Sequence, residues 1–222
     1  METFPQIITV DDPAKGLEAV KELLYKKVND QTLLLLSGGK TPKSLYEILA
    51  KEGTLIPKAV GMVDERSDGS NLEMIKRTGL LDHFKNLGVN FYPILSDAAI
   101  YDKCMHSLFS SCKKKVAIMG IGEDGHTAGL PPGISNFKFQ ISNNEDLVTN
   151  IDDFPGEFKK RISLTFKALS QMDLLIVLVL GSAKQNALRL MFEKGTLSEI
   201  PARFFIKPEI AKKTILITDQ KI

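Results

Sequence analysis

Short apolar runs separated by amphipathic stretches fill almost the whole chain, and this alternation constrains the fold more than any other feature. Ile7–Val10, Thr32–Leu36, Val60–Val63, Phe91–Leu95, Lys115–Met119, Leu174–Leu180 and Thr214–Thr218 read as strands. Between them, apolar residues recur at helical spacing: Leu17, Val20, Leu23, Leu24 and Val28 in one stretch, and Leu45, Ile48 and Leu49 in the next. Asp12 is placed to cap the first helix with Pro13 at its first position, and Pro42 is placed to open the second. The same reading predicts helices over Asn71–Leu81, Ala98–Cys112 and Ser182–Glu193, and a strand over Arg161–Thr165 leading into a short helix. Strands alternating with helices imply a mainly parallel sheet covered by helices on both faces. The segment from Ile134 to Lys160 is polar and weakly periodic, and reads as an excursion from that sheet.

The chain has 222 residues, and a single α/β domain over 1–222 is expected. Lys and Arg number 29 against 27 Asp and Glu. That near-balance argues against a dedicated nucleic-acid binder, while leaving room for a local basic cluster. The longest apolar run, Leu174 to Leu180, is seven residues, whereas a membrane span needs about 20. The first residues, METFPQIITV, have neither a basic segment nor a long apolar one, so no signal peptide is expected. Cys104 and Cys112 fall in one predicted helix. Eight helical residues separate them by about 12 Å, and a disulfide needs Cα atoms within about 7 Å. Two buried thiols in a reducing, cytoplasmic setting are therefore expected.

Ligands of parallel α/β sheets sit beyond the C-terminal ends of the strands, so polar clusters at those ends matter most. Ser37-Gly38-Gly39-Lys40-Thr41-Pro42 lies between a strand and a helix. Its glycines let backbone N–H groups approach a ligand, and the helix N-terminus adds further donors. A plain strand-to-helix turn has the same look, and these residues alone do not separate the two. Asp64-Glu65-Arg66, followed by Ser70-Asn71, ends another strand. In isolation it reads as a solvated loop start.

Gly120 to Gly129 carries four glycines in ten residues, with Asp124 beside His126, one of three histidines. Histidine is the side chain suited to proton transfer near neutral pH. His83 and His106 lie in helical context without such company and read as structural or surface residues. Arg161 and Lys184 are further cations able to neutralise a phosphate, although spacing alone makes each an ordinary surface charge.

Taken together, SGGKTP at 37–42, DER at 64–66, SN at 70–71, GIGEDGHTAGLPPG at 120–133, RISLT at 161–165 and GSAKQNAL at 181–188 resemble the 6-phosphogluconolactonase family, within the superfamily that includes glucosamine-6-phosphate deaminase. The resemblance implies a Rossmann-like α/β fold without a dinucleotide, and hydrolysis of 6-phospho-D-glucono-1,5-lactone in the oxidative pentose phosphate pathway. It makes His126 the general base, with Asp124 and Arg66 beside it in the catalytic set. It assigns substrate and phosphate binding to Ser37, Gly38, Gly39, Lys40, Thr41, Asp64, Asn71, Arg161 and Lys184. The implied partner is a small sugar-phosphate substrate, with no nucleic acid and no membrane, and the implied state of the protein is a monomer or small homo-oligomer. A lactone carbonyl is already electrophilic, so no metal, cofactor or covalent nucleophile is expected.

The chain departs from the family pattern in places. Gly129 and Pro131 stand where Ser and Phe are usual, Lys40 where Ser is common, and only Ser67-Asp68-Gly69 lies between Arg66 and Ser70, where a longer loop is the rule. These changes are expected to reshape the sugar pocket more than the base or the phosphate site. Deaminases of the superfamily resemble DGHIAFNEP, with an acid soon after the histidine, and commonly have Tyr where Arg66 stands. Here Thr127-Ala128-Gly129-Leu130-Pro131-Pro132 contains no acid. A non-catalytic sugar-phosphate sensor is the other alternative. Regulators of that kind carry a helix-turn-helix segment, and no basic recognition helix is expected here, while His126 and the candidate phosphate cations are present.

Overall fold

The computed structural model describes residues 4–133 and 145–222. Seven strands form one parallel sheet: β1 (Gln6–Thr9), β2 (Thr32–Leu36), β3 (Ala59–Met62), β5 (Asn90–Tyr92), β6 (Lys114–Gly120), β9 (Leu174–Val179) and β10 (Thr214–Thr218). Their order is β1-β10-β9-β6-β2-β3-β5, and every neighbouring pair is parallel. Every residue of β2, β3, β9 and β10 is buried, as expected for strands covered on both sides.

The helices are α1 (Pro13–Lys27), α2 (Lys40–Glu52), α3 (Ser70–Arg77), α4 (Leu80–Asn86), α5 (Ala98–Ser111), α6 (Phe166–Ser170), α7 (Gln185–Phe192) and α8 (Pro208–Ala211). The connections β1→β2, β2→β3 and β3→β5 step across the sheet in one direction, and those from β5 onward step back. Right-handed crossovers therefore put α1–α4 on one face and the later helices on the other. The reversal falls at β2 and β6, which are hydrogen-bonded neighbours. This is the open α/β fold that the alternating pattern predicts.

A second, three-stranded antiparallel sheet stands at the C-terminal end of β3. It consists of β4 (Asp64–Arg66), β8 (Arg161–Leu164) and β7 (Val148–Ile151), in the order β4-β8-β7. Asp64–Arg66 is thus a short strand rather than a loop. The predicted excursion begins with residues 134–144, outside the described residues, and continues into β7. Asp102 of α5 anchors β7 by accepting the N–H groups of Leu147 and Val148 at 2.7 and 2.9 Å.

Local chemistry explains where boundaries agree and where they move. The Asp12 carboxylate caps α1 by accepting the Lys15 N–H at 3.0 Å, with Pro13 at the first position. Helix α2 begins at Lys40, two residues before Pro42, because the first-turn N–H that proline lacks has no intrahelical partner anyway. On its inner face Tyr46 is buried, while Ile48 is only half-buried. The predicted helix over 71–81 is two helices. The Thr78 hydroxyl donates to the Ile75 carbonyl at 2.6 Å, and Gly79 turns the chain with φ +79°. The predicted helix over 182–193 opens with a 3₁₀ turn, Ser182–Lys184, before α7. Both cysteines are free; Cys112 is buried, but Cys104 is half-buried rather than enclosed.

Strand β5 stops at Tyr92, opposite Gly61, so the outer N–H and C=O of Met62 have no strand partner. The Tyr101 hydroxyl of α5 supplies both bonds, accepting from the Met62 N–H and donating to its carbonyl, each at 2.7 Å. Burial holds this phenol well above its ordinary pKa, so it remains a donor. Tyr101→Phe would strand two buried backbone groups. Chemical denaturation is expected to show a loss of about 1–3 kcal/mol, and an unchanged unfolding midpoint would show that water replaces the hydroxyl.

Candidate active site

The loops after β2 and β6 leave adjacent strand ends toward opposite faces of the sheet, which opens a crevice between them. The first loop is Ser37-Gly38-Gly39. Tyr46 donates to the Ser37 carbonyl at 2.8 Å, while the Ser37 hydroxyl is buried with no partner among the described residues. Gly39 adopts φ +117° just before α2. A Cβ on Gly38 would stand 2.0 Å from Asn71 Oδ1, so the bare backbone lets α3 pack directly against the loop.

The small sheet carries its charges by strand alternation. Asp64 and Arg66 share one face of β4, opposite Ser163 and Arg161 of β8. Asn71 donates its side-chain N–H to the Asp64 carbonyl at 3.2 Å and to Oδ2 at 3.3 Å. Arg161 Nη1 lies 3.7 Å from Asp64 Oδ2. Both are almost enclosed, Asp64 at 5% and Arg161 at 9% exposure. Burial raises the Asp64 carboxyl above its ordinary pKa, against the pull of the Arg161, His126 and Arg66 charges. Burial likewise lowers Arg161, against the Asp64 charge.

Glu65 points to the other face. Its carboxylate accepts the N–H groups of Arg66, Asn71 and Leu72 at 2.7, 2.9 and 2.7 Å. The second and third of these are first-turn donors of α3, so Glu65 joins β4 to that helix. Sequence reasoning singled out the triplet, but not this division of labour. The signal was its strand alternation, hidden because three charged residues do not resemble a strand.

Arg66 and Arg161 are directly opposed across the ladder. Like charges in that arrangement repel, and a buried Nε of each lacks a partner among the described residues. Guanidinium groups so placed have the chemistry to take an anion. The short Ser67-Asp68-Gly69 segment is a tight turn closed by the Gly69 N–H on the Arg66 carbonyl at 2.9 Å, and it feeds straight into α3. It lines a cavity of about 800 Å³ beside the arginines, together with Leu72, Ile94 and Lys160.

The second loop holds His126. Its Nδ1 lies 2.5 Å from Asp124 Oδ1, and its backbone N–H reaches the same oxygen at 3.1 Å. Burial alone would raise the Asp124 carboxyl, but the hydrogen bond and charge of His126 outweigh it and hold it below the usual carboxylate value. An ionised Asp124 only accepts, so Nδ1 carries the proton, and in the neutral ring the lone pair is on Nε2.

The loop is closed by the Gly122 N–H on the His126 carbonyl at 2.8 Å. Within it, Ala128 is the one non-glycine residue with positive φ among the described residues, at 52°. Such strain is concentrated at functional loops. Gly129 donates to Ser163 Oγ at 2.9 Å, and a Cβ there would come within 2.8 Å of the Ser163 Cβ. The glycine at this position therefore brings the histidine loop onto β8.

Phe154 was not foreseen as part of this constellation. Its ring meets His126 edge-on at 5.0 Å and lies against the Arg161 guanidinium, 3.3 Å from centroid to Cζ. The two groups meet through β8 and the turn before it, which sequence order cannot show. Lys40 begins α2, and Lys184 ends the 3₁₀ turn after β9, the strand beside β6. Neither forms an ion pair among the described residues, and neither is drawn into the Asp64–Arg161 cluster. His83 and His106 lie in α4 and α5, outside the crevice. Among the described residues no group of three or more His, Cys, Asp or Glu side chains is placed to hold a metal ion, and no helix is long and apolar enough to cross a membrane.

An open parallel sheet with a polar crevice at its switch point defines the class of small-ligand α/β proteins. The chain belongs to a particular family within it. The model of the glucosamine-6-phosphate isomerases/6-phosphogluconolactonase family matches residues 14–215. A protein of Xylella fastidiosa named 6-phosphogluconolactonase is 30% identical over 201 residues, covering 82% of this chain and 83% of its own. One of Synechocystis with the same name is 30% identical over 198 residues, covering 81% and 79%. A solved 6-phosphogluconolactonase from Shewanella baltica superposes with a TM-score of 0.79 over the whole of both chains, at 19% identity.

A methyl on Gly122 would stand 2.0 Å from His126 Nδ1 and 2.6 Å from Asp124 Oδ1. Gly122→Ala is therefore expected to break the His–Asp hydrogen bond. The ¹⁵N spectrum of the ring should change from the single Nδ1–H tautomer to a mixture, and an unaltered spectrum would disprove the assignment.

Proposed function

We propose that the chain is a 6-phosphogluconolactonase, hydrolysing 6-phospho-D-glucono-1,5-lactone to 6-phospho-D-gluconate in the oxidative pentose phosphate pathway. The observation that carries this reading is the pairing of a histidine held by Asp124 through Nδ1 with an arginine pair poised for an anion. The substrate needs one base and one phosphate anchor. The names of the relatives support the same choice.

In this mechanism His126 Nε2 takes a proton from water, and the water oxygen adds to the lactone carbonyl carbon. Collapse of the tetrahedral intermediate breaks the bond between that carbon and the ring oxygen. The ring oxygen leaves as the C5 hydroxyl by taking the proton from the His126 imidazolium, which restores the base, and the new carboxylic acid loses its remaining proton to water. Asp124 keeps the ring in the tautomer that can accept, and stabilises the imidazolium that forms. The phosphate is held by Arg66, Arg161, Lys184 and the Ser37–Thr41 loop, whose glycine backbone and helix N-terminus offer donors. Anchoring the phosphate fixes the ring relative to His126. Asp64 and Asn71 hold Arg161 and the Ser37 loop in place. The reading places the protein in the cytoplasm, acting as one α/β unit on a small sugar phosphate.

The first test is turnover of fresh 6-phosphogluconolactone by the purified protein, corrected for spontaneous hydrolysis, with glucosamine 6-phosphate in parallel. Turnover of the amino sugar alone would replace this reading with the deaminase one. His126→Ala should lower kcat by about 10²–10⁴-fold while circular dichroism and Tm stay near wild type; full activity would remove His126 from the mechanism. Lys184→Ala should raise KM with little change in kcat, and unchanged kinetics would reject its phosphate role. Arg161→Ala is a poorer probe, because it also leaves the buried Asp64 carboxylate without its counter-charge.

A further inference from the structure

The turn between β7 and β8 carries two phenylalanines, and each lies over one member of the opposed arginine pair. Phe154 covers Arg161 with the guanidinium carbon 3.3 Å from the ring centroid, and Phe158 covers Arg66 at 4.7 Å. The turn is closed by the Phe154 N–H on the Lys159 carbonyl at 2.8 Å. It is tied to β4 by the Ser67 N–H on the Lys160 carbonyl at 3.0 Å. The rings are thus fixed to the same two strands that oppose the cations. An aromatic face attracts a guanidinium and leaves its in-plane N–H groups free to point elsewhere. That is how two repelling cations can be held flat without consuming the donors an anion needs. Phe154 is itself buried, and its ring also abuts His126.

We propose that Phe154 and Phe158 form an aromatic clasp that positions the Arg66–Arg161 pair for a phosphate group, and that Phe154 additionally sets the plane of the His126 ring. Both are positioning residues, acting through the arginines and the histidine rather than touching the reacting atoms. The inference rests on the reading of the arginine pair as the phosphate subsite.

The test replaces each ring by an aliphatic side chain and then by a second aromatic: Phe154→Leu, Phe158→Leu, Phe154→Tyr and Phe158→Tyr. Affinity for inorganic phosphate and for 6-phosphogluconate is measured by calorimetry, beside lactone kinetics and Tm. Phe158→Leu should weaken both ligands and raise KM by about 2–30-fold, the cation–π range converted at 1.4 kcal/mol per tenfold, with kcat unchanged. Phe154→Leu should do the same and also lower kcat, while the tyrosine variants restore phosphate affinity.

Folded leucine variants that bind both ligands like wild type overturn the clasp. Phe158 is half-exposed in a turn, so its variant keeps the test open if Phe154→Leu fails to fold. If the wild type binds phosphate and the leucine variants lose it, yet no lactone is hydrolysed, the proposed activity falls and the clasp stands. A wild type that binds neither ligand overturns the clasp together with the subsite it serves.

Discussion

The parallel pairing of β2 with β6 is the constraint on which the rest of the structure depends. Thr32 to Leu35 register with Lys114 to Ala117, so the two strands end side by side. Their crossovers then run to opposite faces, and no covering helix can close the gap. Both polar loops are delivered there by a sheet in which β2, β3, β9 and β10 bury every residue. The rigidity of that core matters, because the histidine loop stores backbone strain at Ala128 and a small sheet must carry buried charge. Only a firmly packed base can hold such features in place.

The charge arrangement follows from that placement. Asp64, Arg66 and Arg161 are gathered by β4 and β8, two short strands outside the main sheet, where alternation puts them on one face. Asp64 is the acid nearest Arg161 and Asn71 orients it. Asp124 and Asp68 also act on Arg161. A chain with 29 cations and 27 anions is nearly neutral overall, and here it gathers charges of both signs in one place. The glycines serve this crowding. Gly38 admits Asn71, Gly122 admits the His126–Asp124 pair, and Gly129 brings the loop onto Ser163.

Much of this was legible in the residues. Long apolar strands with helical stretches between them can bury themselves in few ways, so the open parallel sheet and most of its elements could be read directly. The glycine-rich loop at a strand end marked out His126 and Asp124 because such turns and isolated titratable groups stand out from an apolar background, whereas Arg161 read as an ordinary surface charge until the family resemblance drew it in. Short charged strands were less visible. Asp64–Arg66 and Val148–Ile151 owe their strand geometry to pairing with β8, not to any apolar pattern of their own. The break at Thr78-Gly79 was hidden for a related reason: apolar spacing continued through it while a hydroxyl and a left-handed glycine ended the helix.

By itself, then, the sequence determined the class of fold, the cap of the first helix, the family and the residues of the polar loops. Those depend on local periodicity, local hydrogen bonds and motifs contiguous in the chain. Tertiary structure alone decided that Glu65 turns away from Asp64 and Arg66 to hold α3, that two arginines 95 positions apart face one another, and that Phe154 stands between Arg161 and His126. Such relations are set by register between strands and by the path of a turn, and the β4–β8 pairing on which they rest joins residues distant in sequence.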